Sequence, residues 1–131
     1  SGSNYVGAPM WDLHELFKAH DPAQVSVGFD LSHAKAEAMR AWPLHANLLR
    51  PRIGALYVKS FRWENNQRKN CSLAEGIVDK KYPRQLIASG FTGPINLHEE
   101  YLNHRDPKMI PQHVAAIRKD IVTLKNWLGW S

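Results

Sequence analysis

The hydrophobic and polar positions of this 131-residue chain predict helices that alternate with three short strands. Apolar runs over 25–31, 53–61 and 95–97 are typical of strands that are buried on both faces of a parallel sheet. Apolar residues recur at helical spacing over about 9–20 and along one face of a long segment over 107–128. This alternation indicates an α/β fold with parallel strands and right-handed crossovers.

Local signals set the boundaries of the other predicted elements. Ser32 is predicted to cap a helix that reaches about Ala41, because its hydroxyl can accept a backbone N–H. A short helix over 82–88 is predicted to end at Gly90. The segment 65–72 is polar and has no periodicity, which predicts a surface loop.

Length and composition predict one domain over residues 4–131, preceded at 1–3 by a small polar segment typical of an expression-vector remnant. Cys71 is the single cysteine, so the chain forms no intrachain disulfide, which fits a reducing compartment and a cytoplasmic location. No apolar run approaches the roughly 18 residues needed to span a membrane, so we expect no membrane partner. The net charge of +5 is spread along the chain and only weakly favours anionic ligands.

The chemistry-capable residues follow the three predicted strands. Parallel α/β proteins bind ligands at the carboxyl ends of their strands, so we expect one edge of the sheet to carry Asp30, His33, Lys59, His98 and Glu100. A carboxylate there can bind a divalent metal or remove a proton next to a carbonyl. Alternatives stay open, since Asp30 can be a helix cap alone, Lys59 a rim lysine, and 98–100 a solvated acidic loop. Glu75, which lies in the predicted loop after the second strand, is a further candidate for contact with a ligand.

Ordered motifs resemble a known family. They are GFDLSHA at 28–34, YVKSFRWE at 57–64, LAEGIVD at 73–79 and GPINLHEEY at 93–101. Together they resemble the C-terminal portion of the sugar phosphate isomerase/epimerase family, the xylose-isomerase-like TIM barrels, over nearly the whole chain. The resemblance implies a partial (β/α)8 barrel made of about the last three strands and their helices.

The resemblance also implies a site. It makes Asp30 and Glu100 ligands of a divalent metal (Mn, Mg, Zn or Co), with Glu100 also a candidate base. It implies catalytic or substrate contacts for His33 and Lys59, whereas Glu75 and His98 are candidate substrate contacts from their positions after the strands. The sequence departs from the family at Tyr57, where a metal histidine is expected, and at Ser60, where an aspartate is usual. The strand that carries the family's first metal glutamate is expected before this sequence begins, so the resemblance does not require a metal in this chain.

The function implied by the resemblance is isomerisation or epimerisation of a sugar or sugar phosphate through metal-assisted proton transfer. An inactive barrel fragment or a non-catalytic binding module is the alternative. A metal-dependent nuclease of the endonuclease IV type shares the barrel, but it needs more histidine and carboxylate ligands, so nucleic acid is not an expected partner. A homo-oligomer is expected to cover the barrel surface that three strands leave exposed.

Overall fold

The computed structural model describes residues 5–131, so the segment predicted as a vector remnant lies outside the described residues. A three-stranded sheet contains β1 (Val27–Asp30), β2 (Ile53–Val58) and β5 (Ile95–Leu97), and a separate hairpin contains β3 (Ser60–Glu64) and β4 (Gln67–Cys71). The helices are α1 (Met10–Phe17), α2 (Leu31–Ala38), α3 (Trp42–Leu49), α4 (Tyr82–Ala88) and α5 (Ile110–Leu128). Short 3-10 segments lie at Met39–Ala41, Arg50–Arg52 and Pro107–Met109.

The order of the strands confirms the predicted α/β class. β1 pairs with β2, and β2 pairs with β5, in both cases parallel. The strands of this sheet lie in the order of the chain, with α2 and α3 between the first pair and the β3–β4 hairpin and α4 between the second. Their carboxyl ends meet at one edge of the sheet, where the residues singled out in the sequence lie.

One face of this sheet forms the core, and the other is left partly open. Phe29, Leu56 and Val58 are buried with side chains from α3, α4 and α5 in one hydrophobic cluster. On the opposite face Gly28 is exposed, and Tyr57 is only partly buried. A Cβ at Gly28 would lie 2.9 Å from Tyr57 Cε2, so the glycine lets the tyrosine ring lie across β1.

The predicted loop at 65–72 is wrong, because most of it is a strand. Asn65 and Asn66 have φ angles of 50° and 60°, and they join Glu64 to Gln67, which face each other in the hairpin. A two-residue turn with both φ angles positive matches the twist of antiparallel strands, and asparagine tolerates that conformation well. The second predicted strand is accordingly shorter than 53–61, and Lys59 lies between β2 and β3.

The predicted cap at Ser32 is also wrong, since α2 begins one residue earlier, at Leu31. Asp30 Oδ1 accepts the backbone N–H groups of Ser32 at 2.9 Å and His33 at 3.0 Å. A carboxylate at this position satisfies two N–H groups that have no partner within the helix. Asp30 is therefore the helix cap, but it is not a cap alone, because its second carboxylate oxygen lies 3.3 Å from Lys59 Nζ.

The last helix leaves half of its apolar face uncovered. α5 ends at Leu128 as predicted, but it begins at Ile110, after a 3-10 segment over Pro107–Met109 at the predicted start, and Leu124 and Leu128 are buried in the core. The same face continues towards the N-terminus of the helix through Ile110, Val114, Ile117 and Ile121, whose exposed fractions are 38–60%. None of the helices in the described part of the chain is long and apolar enough to cross a membrane.

Candidate functional site

An ammonium group and two carboxylates meet at the carboxyl edge of the sheet. Lys59 Nζ donates to Glu100 Oε2 at 2.9 Å and lies 3.3 Å from Asp30 Oδ2. Lys59 is 7% exposed, and a lysine this deeply buried needs anionic partners. Lys59 is therefore a buried, paired lysine and not a rim lysine whose ammonium reaches solvent.

The fold places each of these groups independently. Asp30 ends β1, Lys59 directly follows β2, and Glu100 lies three positions beyond Leu97, the last residue of β5. The residue pairs Asp30–Tyr57 and Tyr57–Asn96 set the register of the three strands, so the side chains that follow them converge. The predicted edge site is thus a direct consequence of parallel pairing.

Two histidines flank the carboxylates. His33 Nε2 lies 3.8 Å from Asp30 Oδ2, and His98 Nδ1 lies 3.5 Å from Glu100 Oε1. Burial lowers the pKa of His33, and nearby Arg68 and Lys59 lower it further, against the opposing effect of Asp30. The neutral imidazole is therefore the favoured form near pH 7, as a proton-transfer group requires.

The carboxylate of Glu100 stays ionised in spite of its position. Burial acts to raise the Glu100 pKa, but the hydrogen bond and charge of Lys59 hold the pKa below its ordinary value, with a smaller contribution from His98. A base that is paired in this way becomes more basic when a ligand takes over the lysine's hydrogen bond.

The hairpin contributes two residues that the sequence analysis missed. Arg68 Nη2 donates to Ser32 Oγ at 3.1 Å, and Arg68 Nη1 lies 3.3 Å from His33 Nδ1. Asn70 Nδ2 donates to the backbone carbonyl of Glu100 at 3.3 Å. The adjacent asparagines Asn65-Asn66 were the available signal, because they mark a two-residue turn that returns the chain towards the sheet edge.

Several of these groups line an open polar cavity of about 740 Å³, although Asp30 and His98 do not. Its charged members include the cations Lys59, Arg68 and Lys69 and the carboxylate Glu100. The complete lining comprises His33, Lys59, Arg68, Lys69, Asn70, Glu100 and Tyr101. A cavity with this lining suits a small hydroxylated molecule that carries negative charge.

Glu75 lies apart from this cavity. Its Oε2 atom accepts a hydrogen bond from Ser72 Oγ at 2.7 Å and lies 3.9 Å from Arg62 Nη1. The Glu75 side chain is 58% exposed. The structure therefore does not bring this predicted substrate contact together with the other candidate residues.

Buried hydrogen bonds fix the segment that carries Glu100. The neighbouring carboxylate Glu99 is 2% exposed, accepts the N–H groups of Tyr101 and Leu102 at 2.9 Å, and contacts His113 Nδ1. Asp120 Oδ2 accepts the Tyr101 hydroxyl at 3.0 Å. Because the residues on each side are anchored, Glu100 is positioned by the backbone as well as by Lys59.

The side chains as arranged fit an ammonium better than a divalent metal. Lys59 Nζ occupies the space between the two predicted metal ligands, Asp30 and Glu100. At the position expected for a metal histidine, the Tyr57 ring packs against His98 with a centroid distance of 5.1 Å. Within residues 5–131, no three His, Cys, Asp or Glu side chains form a group that could hold a metal ion.

Comparison with known proteins adds no assignment. No protein-family model matches the chain, and no curated protein matches it at a significant level. The family resemblance stays a prediction from the quoted motifs, and the functional inference depends on the geometry of the site.

Proposed function

We propose that the sheet-edge site transfers a proton next to the carbonyl group of a sugar or sugar phosphate, as a xylose-isomerase-like isomerase or epimerase would. The observation that carries this proposal is the position of Lys59, held between Asp30 and Glu100 at the edge of an open polar cavity. An acid, a base and a fixed cation around one cavity are the groups that enolisation requires.

We also propose that the three strands are adjacent strands of a (β/α)8 barrel. Strands in sequential order, with their helices sharing one core, are the local arrangement of such a barrel. Parallel sheets are normally covered on both faces, and here the face that carries Gly28 and Tyr57 is left partly open. The open face would then be the barrel interior.

The chemistry can be assigned to side chains of this chain. A substrate oxygen that accepts the Lys59 N–H would free the Glu100 carboxylate to take a proton from the adjacent carbon. The electron pair of that C–H bond would move to the carbonyl oxygen, and the Lys59 ammonium would stabilise the resulting enediolate. His33 would move a proton between the two oxygens, and Glu100 would return its proton to carbon.

A non-catalytic binding module is the second candidate. The ion pairs of Lys59 and the replacement of a metal histidine by Tyr57 both favour it, because they leave a polar cavity without the family's metal ligands. The two candidates differ in whether a bound sugar exchanges hydrogen with solvent.

The test is NMR in D₂O with a panel of aldoses, ketoses and their phosphates. The proposal expects the protein to replace hydrogen by deuterium at the carbon next to the carbonyl of one substrate class. Binding of a sugar without such exchange would replace the isomerase proposal by the binding-module candidate. Neither exchange nor binding, in protein with the circular dichroism of a folded α/β domain, would overturn both.

A further inference from the structure

Arg68 is a cation of the cavity that has no direct ion-pair partner among the described carboxylates. Within residues 5–131, none of the Asp or Glu side chains forms an ion pair with it, and its buried Nε atom has no hydrogen-bond partner. The neighbouring hairpin cations differ, because Arg62 pairs with Glu64 at 2.6 Å and Lys69 pairs with Glu64 at 2.6 Å. A partly buried guanidinium without a direct ion-pair partner attracts an anion from solution.

The guanidinium is also held in place. Its central carbon lies 5.1 Å from the ring centre of Phe61, which is fully buried, and Nη2 is fixed by the buried hydroxyl of Ser32. Stacking and a hydrogen bond from different elements leave the group few alternative positions. A preorganised guanidinium loses less entropy on binding than a free one.

His33 connects this cation to the proton-transfer groups. Arg68 Nη1 lies 3.3 Å from His33 Nδ1, with Glu37 Oε1 4.0 Å from the same nitrogen, and His33 Nε2 lies 3.8 Å from Asp30 Oδ2. Arg68 and the Asp30–Lys59 pair therefore lie on opposite sides of one imidazole ring. A ligand that touches both sides needs an anionic group a few bonds from its reacting carbon.

We propose that Arg68, with Asn70 beside it, forms an oxyanion subsite that binds the phosphate of a short phosphorylated sugar. The identity of the rest of the ligand rests on the proposed function. A phosphate suits the subsite because arginine presents paired N–H donors to two of its oxygens. A sugar acid shares this chemistry through its carboxylate, so the test includes both kinds of anion.

The experiment is calorimetric titration of the whole chain with inorganic phosphate, glycerol phosphate and glycerate. Arg68→Met removes the charge and keeps much of the volume, and Arg62→Met is the matched control on the same hairpin. We expect Arg68→Met to weaken glycerol phosphate binding at least tenfold and Arg62→Met to change it less than twofold. A tenfold preference for glycerol phosphate over glycerate identifies the phosphate, and the reverse preference overturns that identification.

Equal losses in the two methionine variants, or no anion binding by the folded wild type, would overturn the subsite. Arg68→Lys separates the effect of the charge from that of the paired N–H donors, because it keeps the cation and loses the pair. We expect an intermediate affinity. The two experiments can contradict the subsite and the proposed function independently of each other. Anion binding that depends on Arg68 without hydrogen exchange would contradict the function alone. Exchange on sugars that Arg68→Met leaves unchanged would contradict the subsite alone.

Discussion

Lys59 Nζ donates to Glu100 Oε2 at 2.9 Å, although the two residues are 41 positions apart in the chain. The contact joins the end of β2 to the segment after β5, and Asp30 at the end of β1 lies 3.3 Å from the same ammonium. One lysine therefore connects the carboxyl ends of all three parallel strands. It is the structural centre of the candidate site and the group proposed to stabilise the enediolate.

Replacing Lys59 by Met should weaken both the fold and the function. The change leaves two carboxylates facing each other without a cation, and we expect the free energy of unfolding to fall by about 1–3 kcal/mol. Urea denaturation measures this loss, and hydrogen exchange on the sugar panel should fall at least ~100-fold. Lys119→Met, at an exposed position of α5, is the control and should change neither quantity. An active Lys59→Met variant would contradict the assigned role.

The hairpin turn should tolerate glycine and reject a β-branched residue. Asn66 has a φ angle of 60°, which glycine adopts freely and valine adopts only with strain. We expect Asn66→Gly to keep the free energy of unfolding within about 0.5 kcal/mol and Asn66→Val to lower it by about 1–2 kcal/mol. Thermal denaturation of the pair checks this. Equal stabilities would show that the turn conformation is not required.

Tyr82 should set part of the alkaline limit of stability. Burial raises the pKa of Tyr82 to about 12, and its buried hydroxyl has no hydrogen-bond partner within residues 5–131. Because the unfolded tyrosine ionises near pH 10, its contribution is fully present below pH 10 and is lost as the pH rises towards 12. The loss approaches roughly 2–3 kcal/mol. Tyr82→Phe should remove this part of the pH dependence in urea denaturation at pH 8–12, and an unchanged profile would contradict the assignment.

The uncovered face of α5 should drive self-association. Exposed apolar side chains spaced as Val114, Ile117 and Ile121 form a continuous stripe on one helix face. We expect concentration-dependent dimers in sedimentation velocity, and we expect Ile117→Glu to shift them to monomers. Ala115→Glu adds the same single charge at an exposed position of α5 outside this stripe, and it is the control. A wild-type chain that is monomeric at every concentration would contradict the predicted oligomer.

The location of the site could be predicted from the sequence because it depends on topology alone. Once three strands run parallel, Asp30, Lys59 and Glu100 must lie at the same edge, whatever their detailed contacts. The pairing of Lys59 with both carboxylates could not be predicted, since an ammonium and a metal ion suit the same two ligands. Only the distances distinguish them, and these favour the ammonium.

The hairpin could not be predicted from the sequence, because the polar residues of its second strand resemble those of a surface loop. Residues 67–71 are exposed on one side and contact only one strand, so they lack the apolar run that marks β2. Asn65 and Asn66 adopt positive φ angles, so the chain reverses there and residues 67–71 run back to the edge of the sheet. Arg68 reaches His33 only because of that return, and a loop interpretation could not place it there.

Glu100→Gln and Glu75→Gln, compared in the deuterium-exchange assay, test the central claim most directly. Both variants remove one carboxylate charge, but only Glu100 lines the cavity and contacts Lys59. We expect Glu100→Gln to lower the exchange rate by about 100-fold to 10,000-fold, as the loss of a general base does. We expect Glu75→Gln to stay within about twofold of the wild type, the difference that an exposed side chain outside the site allows. Exchange that survives in Glu100→Gln, or falls equally in both variants, would contradict a proton-transfer site at this edge of the sheet.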